Sequence, residues 1–122
     1  MSASLALQTT LSRYEIGNGI EIQELVKHHW FESQSCDIDL MDMPPNAAME
    51  LHYHRTFNEV FFVVSGSGFR NSLGGKTPIS VGDVFIARRG EAHAVTTGPE
   101  PMVVLTVCLP SFVNDDIHYL EP

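Results

Sequence analysis

Apolar and polar positions alternate with period two through most of the chain, which predicts strands rather than helices. Residues 20–25 (Ile-Glu-Ile-Gln-Glu-Leu) alternate in this way. The apolar set Ile22, Leu25, Val26 and Trp30 also fits a helical turn or two, but the strand reading is favoured. Residues 36–40 alternate as well, with Cys36, Ile38 and Leu40 predicted on one face and Asp37 and Asp39 on the other. Met43-Pro44-Pro45-Asn46 interrupts with turn chemistry, since Pro45 has no N–H to give a ladder. The run 59–65 is β-branched and aromatic, too short for a helix, and is expected to end at Gly66-Ser67-Gly68. A hairpin-like loop follows at 71–75, then turns at Val81-Gly82-Asp83 and Arg89-Gly90-Glu91, with strands between and after them. Gly98-Pro99-Glu100-Pro101 closes the strand that starts at His93, and Met102 to Leu109 is a continuous apolar run read as a buried strand. Short strands separated by glycine and proline indicate an all-β sandwich or closed barrel.

No repeat, low-complexity tract or linker divides the 122 residues, so the chain reads as a single domain, 1–122, with its core at about 34–110. The first dozen residues read as a loose lead-in or the donor of an edge strand. The tail from Pro110 reads as a short ordered extension across the surface. A hydrophobic fraction of 43% suits an ordinary core. Fifteen acidic against seven basic side chains give a formal charge of −8, which repels phosphate backbones and anionic lipid. Nucleic acid and membrane are therefore set aside as partners. Cys36 and Cys108 sit in no Cys-x-x-Cys pairing and read as reduced thiols. The N-terminus has no basic start followed by an apolar run, and nothing approaches the roughly 20 apolar residues of a membrane helix. A cytoplasmic location is the resulting expectation.

The stretch that carries chemistry is Leu51-His52-Tyr53-His54, followed by Glu59 and, later, His93. Residues two apart on a strand share a face, so His52 and His54 project together while Tyr53 faces away. Four residues then allow a reversal into the strand that Glu59 begins, and a barrel would return His93 beside them. Three imidazoles and a carboxylate suit a divalent transition metal: iron, manganese, nickel, cobalt or zinc. A lone His-x-His is common on surfaces, so the argument rests on all four residues together with the glycines around them.

That combination resembles the cupin family. Its first motif runs Gly, five residues, His-x-His, three or four residues, Glu, six residues, Gly; here Asn46 takes the first position and His52, His54, Glu59 and Gly66 fall in register. Its second runs Gly, five residues, Pro-x-Gly, two residues, His, three residues, Asn; here Gly82, Gly90 and His93 match, with Arg88 for the proline and Thr97 for the asparagine. The departures fall at turn and structural positions, not at the ligands. The resemblance implies a double-stranded β-helix, or jelly-roll barrel, with a metal at its open end, and frequently a homodimer.

Strand alternation places Phe61 and Val63 behind the metal, with Val60 and Phe62 on the opposite side to pack a sheet or a dimer contact. His93, Val95 and Thr97 share another inward face. Arg70 is a candidate to look into the barrel and clamp an anion. Arg88 and Arg89 belong to the turn before His93. His118 and Tyr119, in the tail, are candidates to reach the pocket mouth, and with Arg70 they are the weak catalytic candidates. His28 and His29 have no readable partner spacing. Ser65-Gly66-Ser67-Gly68 lacks the lysine and helix of a phosphate loop, and no Gly-x-Ser-x-Gly elbow supports a Ser–His–Asp reading.

Three functions remain open. The first is an enzyme using the metal as a Lewis acid on a small oxygen-rich metabolite (a sugar, sugar acid or carboxylate) by isomerase, epimerase, lyase or decarboxylase chemistry. The alternatives are an iron-dependent dioxygenase and a non-catalytic module that binds a metal or small ligand. The balance leans towards an enzyme.

Overall fold

The computed structural model describes residues 13–26, 36–113 and 115–120. The expectations for the N-terminal lead-in, for Trp30 and for His28 and His29 lie outside the described residues. Within them there is no helix, and ten strands form one curled antiparallel sheet of jelly-roll type. They are β1 (Arg13–Gly17), β2 (Ile20–Val26), β3 (Asp37–Met43), β4 (His52–Tyr53), β5 (Asn58–Ser72), β6 (Gly75–Ser80), β7 (Val84–Ala87), β8 (His93–Thr96), β9 (Met102–Leu109) and β10 (His118–Tyr119). The order across the sheet is β1-β2-β3-β9-β5-β8-β4-β10, with β6 and β7 also paired to β5.

Strand β5 organises this arrangement. Its first half pairs with β9 and β7, and its second half with β8 and β6. The strand does not end at Gly66-Ser67-Gly68, as its glycines suggested. It bends there, after a register shift between Val63 and Ser65, and passes from one half of the barrel into the other. The reason is steric. Gly66 adopts φ +77, and a Cβ on it would overlap the carbonyl oxygen of Pro101. A Cβ on Gly68 would lie 2.5 Å from the Thr96 carbonyl oxygen and 2.7 Å from Met102 Cε. The chain that joins β8 to β9 therefore crosses β5 at a distance that only glycine permits.

The core collects one face of each long strand. Phe61 and Val63 from β5, Val95 from β8, and Met102 and Val104 from β9 are buried together with Met41 and Met43. Val60 and Phe62 point the other way, Phe62 being exposed, as alternation predicted. Strand β9 is covered on one face only: Met102, Val104, Thr106 and Cys108 are buried while the residues between them are half-covered. Both cysteines are free thiols.

On β3 the alternation is as expected, and the inward face is the one that carries Asp37. Asp37 and Met41 face the interior with Met43, and Ile38 and Leu40 lie half-buried on the outer side. Period two states which residues share a face and leaves open which face is inside. Here the two methionines fill the core, and Asp37, 1% exposed, accepts a hydrogen bond from the Phe112 N–H at 2.9 Å.

The motif positions that depart from the family pattern are also accounted for. Asn46 adopts φ +57, a conformation asparagine tolerates better than most residues, so it replaces the expected glycine. The Thr97 hydroxyl donates to the Pro44 carbonyl at 2.5 Å and accepts from the Ala47 N–H at 2.7 Å, tying the end of β8 to the loop before β4. The Arg88 N–H, which proline would lack, donates to Glu91 at 2.9 Å.

The crossing gives the first prediction. Gly66→Ala combines left-handed strain with a backbone overlap, and is expected to cost about 3 kcal/mol or more, lowering Tm by roughly 10 °C. Gly82→Ala, at φ +91 with open space around its Cβ, is expected to cost about 1 kcal/mol. Calorimetry of the two variants side by side checks the difference.

Candidate metal centre

His52 lies on β4, opposite His93 on β8, and His54 follows directly as the chain leaves β4. Glu59 enters from β5, where it pairs with Ala87 and Cys108. These four side chains converge. The imidazole centroids lie 5.1 Å (His52–His54), 4.5 Å (His52–His93) and 5.1 Å (His54–His93) apart. One ligand atom from each of the three lies within 4.8 Å of the others, so one ion is within reach of all. Glu59 Oε1 stands between two of the rings, 2.9 Å from His54 Nε2 and 3.2 Å from His93 Nε2.

The protonation pattern tests whether a cation fits. Each histidine turns Nδ1 to a backbone carbonyl: His52 to Glu50 at 2.8 Å, His54 to Asp116 at 2.8 Å and His93 to Glu91 at 3.0 Å. A carbonyl only accepts, so each Nδ1 carries the hydrogen, and a neutral ring then presents a bare lone pair at Nε2. Two such lone pairs facing a carboxylate would repel it. The contacts are favourable only with protons, or a metal ion, among the Nε2 atoms and Oε1. Locking each ring by its far nitrogen is also the arrangement that orients histidine ligands. The residues therefore fit a divalent metal.

The electrostatics agree. Burial alone would raise the Glu59 carboxyl, but hydrogen bonds from His54 and His93 outweigh it and bring the pKa down to about 2. Burial pulls His54 down, and the Glu59 carboxylate more than restores it, so its pKa is raised. The pKa of His52 is lowered, first by burial and further by the two neighbouring rings, against the pull of the Glu50 carbonyl. In the metal-free protein the raised His54 stabilises the fold below its unfolded pKa and loses that contribution as pH rises through its folded value. The lowered Glu59 stabilises above its unfolded pKa of 4.5 and loses its contribution as pH falls towards 2. Cys108 places Sγ 3.7 Å from Glu59 Oε2. Burial, with Glu59, Asp39 and Asp37, pushes its thiol well up, so it donates S–H and is no thiolate ligand.

The strand that carries His52 has little ladder of its own. Strand β4 makes one residue pair with β8 and two with β10 in the tail. The tail supplies the missing support through Asp116. Its buried carboxylate accepts from the Arg55 N–H (2.9 Å), the Thr56 N–H (2.8 Å) and the Thr56 hydroxyl (2.6 Å), and its main-chain carbonyl holds His54. Sequence reasoning missed this residue. An acid followed two positions later by histidine gave no sign that it would cap a turn sixty residues earlier.

A cavity of about 560 Å³ opens over the histidines. Tyr119 lines it, with its ring centroid 6.1 Å from that of His52. His118 does not: it stacks on Tyr53 at 5.1 Å and bonds to Asp116 at 3.0 Å, on the opposite side of the short β10–β4 ladder. Tyr53 points away from the cluster, as predicted. Arg70 lines up with Val95 across the β5–β8 ladder, but its guanidinium lies over Phe85 and donates to the Ile86 carbonyl at 2.9 Å. It is thus held away from the cavity lining. Asp37 and Asp39 do line the cavity, because β3 turns its acidic face inward.

The family model described as Cupin domain matches residues 39–108. An oxalate-binding protein from Thermotoga maritima is 27% identical over 101 residues, covering 81% of this chain and 84% of that protein. Among solved structures, the polyketide cyclase RemF from Streptomyces resistomycificus superposes with a TM-score of 0.78 at 17% identity, over 94% of this chain and 83% of that one. The nucleoside dehydratase Pac13 gives a TM-score of 0.73 at 14% identity, over 93% and 88%. At these identities the structural likenesses speak for the fold.

The support from the tail is testable. Asp116→Ala is expected to leave the barrel folded, with a native-like circular dichroism spectrum, while weakening zinc binding roughly 10- to 100-fold, the range for groups that orient ligands. Zinc titration against a competing chelator measures it. Unchanged affinity would mean that His54 is held without Asp116.

Proposed function

The chain belongs to the cupin family, and we propose that this protein holds a divalent transition metal and acts on a small oxygen-bearing metabolite. The observation that carries the reading is the single point on which His52, His54, His93 and Glu59 converge, with every Nδ1 already engaged. His52, His54 and His93 would bind through Nε2 and Glu59 through Oε1. When bound, such an ion supplies Lewis acidity towards a carbonyl or hydroxyl oxygen of the substrate. The protein's own groups supply the rest: Phe61 lines the cavity beside the histidines, Cys108 holds the second oxygen of Glu59, and Tyr119 lines the cavity with its ring centroid 6.1 Å from that of His52. Isomerase or lyase chemistry is the reading put forward, since no step of it needs a further co-substrate.

Elemental analysis of protein purified without added metal or chelator tests this, alongside His54→Ala. About one iron, manganese, nickel, cobalt or zinc per chain is expected, with most of it lost in the variant while the fold persists. No metal in either sample, and none taken up on addition, would remove the proposal. If the metal is iron, turnover that stops under anaerobic conditions would replace the Lewis-acid reading with an oxygenase.

A homodimer completes the reading. The outer face of the sheet exposes Phe62 and Val64 on β5 and Val84 and Ile86 on β7, with Phe62 opposite Val84 and Val60 opposite Ile86. This uncharged strip suits a second copy packing sheet against sheet. Phe62→Asp is expected to turn a dimer into a monomer in sedimentation velocity, and a wild-type monomer would overturn the assignment.

A further inference from the structure

We infer that the metabolite is electrically neutral away from its metal-binding end and carries a substantial apolar body, rather than being a small dianion or a sugar phosphate; this rests on the metal-centre reading above. Three observations lead there. The first is size: about 560 Å³ falls in the roughly 300–1,000 Å³ range of cavities that enclose drug-sized molecules, and a two-carbon dianion would fill only a small part of it.

The second is the lining. Tyr14 on β1, Ile22 on β2, Met41 on β3 and Phe61 on β5 present apolar surface, and Phe112 and Ile117 continue it from the chain after β9. A hydrophilic ligand would leave these side chains facing its hydroxyls without partners.

The third is charge. The described lining contains the carboxylates of Glu24, Asp37, Asp39, Glu50 and Glu59, and neither lysine nor arginine. Two arginines on strands of the barrel are committed elsewhere. Arg13 reaches Glu21 and Asp42, and Arg70 donates to the Ile86 carbonyl. The metal is then the one positive group that the described residues offer a ligand. Oxygens at one end of a ligand can use it. A second anionic group further along the cavity would meet apolar side chains and, among the described residues, no bidentate guanidinium of the kind that usually recognises it.

A matched pair of probes separates the ideas. 2-Hydroxyacetophenone is neutral, with a ring and two adjacent oxygens. 3-Acetyl-4-hydroxybenzoate has the same chelating end and adds a carboxylate at the far side. With zinc-loaded protein of verified metal content, the neutral probe is expected to bind at least tenfold more tightly by calorimetric titration, and to raise Tm where oxalate does not. Tyr14→Ser, at an exposed position of β1 and not among the four proposed zinc ligands, is expected to weaken the neutral probe several-fold with zinc content unchanged. Equal or tighter binding of the carboxylated probe, thermal stabilisation by oxalate alone, or no binding of the neutral probe would overturn the inference while leaving the metal centre standing. Failure to load zinc would strike the metal-centre reading itself, before any probe is added.

Discussion

The architecture depends on one close crossing, where the bend of β5 at Gly66-Ser67-Gly68 passes under the chain that joins β8 to β9. Side chains at these two glycines would strike Pro101, Thr96 and Met102, so the approach exists only because they are absent. The bend lets one continuous strand serve both halves of the barrel. Its first half carries Glu59, and its second half pairs with β8, which carries His93 at its start. Two residues of the candidate site, thirty-four positions apart, are thus tied to the same strand. A straight β5 would send β8 and its histidine away from the carboxylate.

Around this frame the site is built from groups that cost free energy to bury and are tolerable only together. Glu59 is nearly enclosed, and an isolated buried carboxylate would take up a proton. Hydrogen bonds from two imidazoles reverse that tendency and keep it ionised. The imidazoles are fixed through their far nitrogens by main-chain carbonyls, which neither titrate nor rotate. The arrangement is therefore pre-organised: little side-chain freedom remains to be lost when a cation takes the place of the protons.

The periphery is less regular and controls access. Strand β4 is two residues long, and its position is secured by the tail more than by the sheet. Asp116 joins the two through its carboxylate and its main-chain carbonyl, and Tyr119 follows it to the cavity mouth. The outer strip of β5 and β7 is uncharged, whereas carboxylates line the cavity on the inner side.

Much of this was legible in the residues themselves. Period-two alternation is a local property of a strand, so it marked the strands and the pairing of His52 with His54. The spacing of His52, His54, Glu59 and His93 matched a known motif because turn lengths and strand register are fixed by short-range geometry. Three things needed the tertiary structure. Alternation on β3 could not say that Asp37 and Asp39 face inward, because both faces of that strand carry apolar residues and the choice depends on what packs against them. Gly66 and Gly68 read as the end of a strand until the crossing chain was placed. The Arg70 guanidinium is captured by a carbonyl sixteen residues away, and Asp116 is recruited across some sixty residues. Contacts of that range have no local signature in the chain, since they are set by where the strands bring distant backbone groups together.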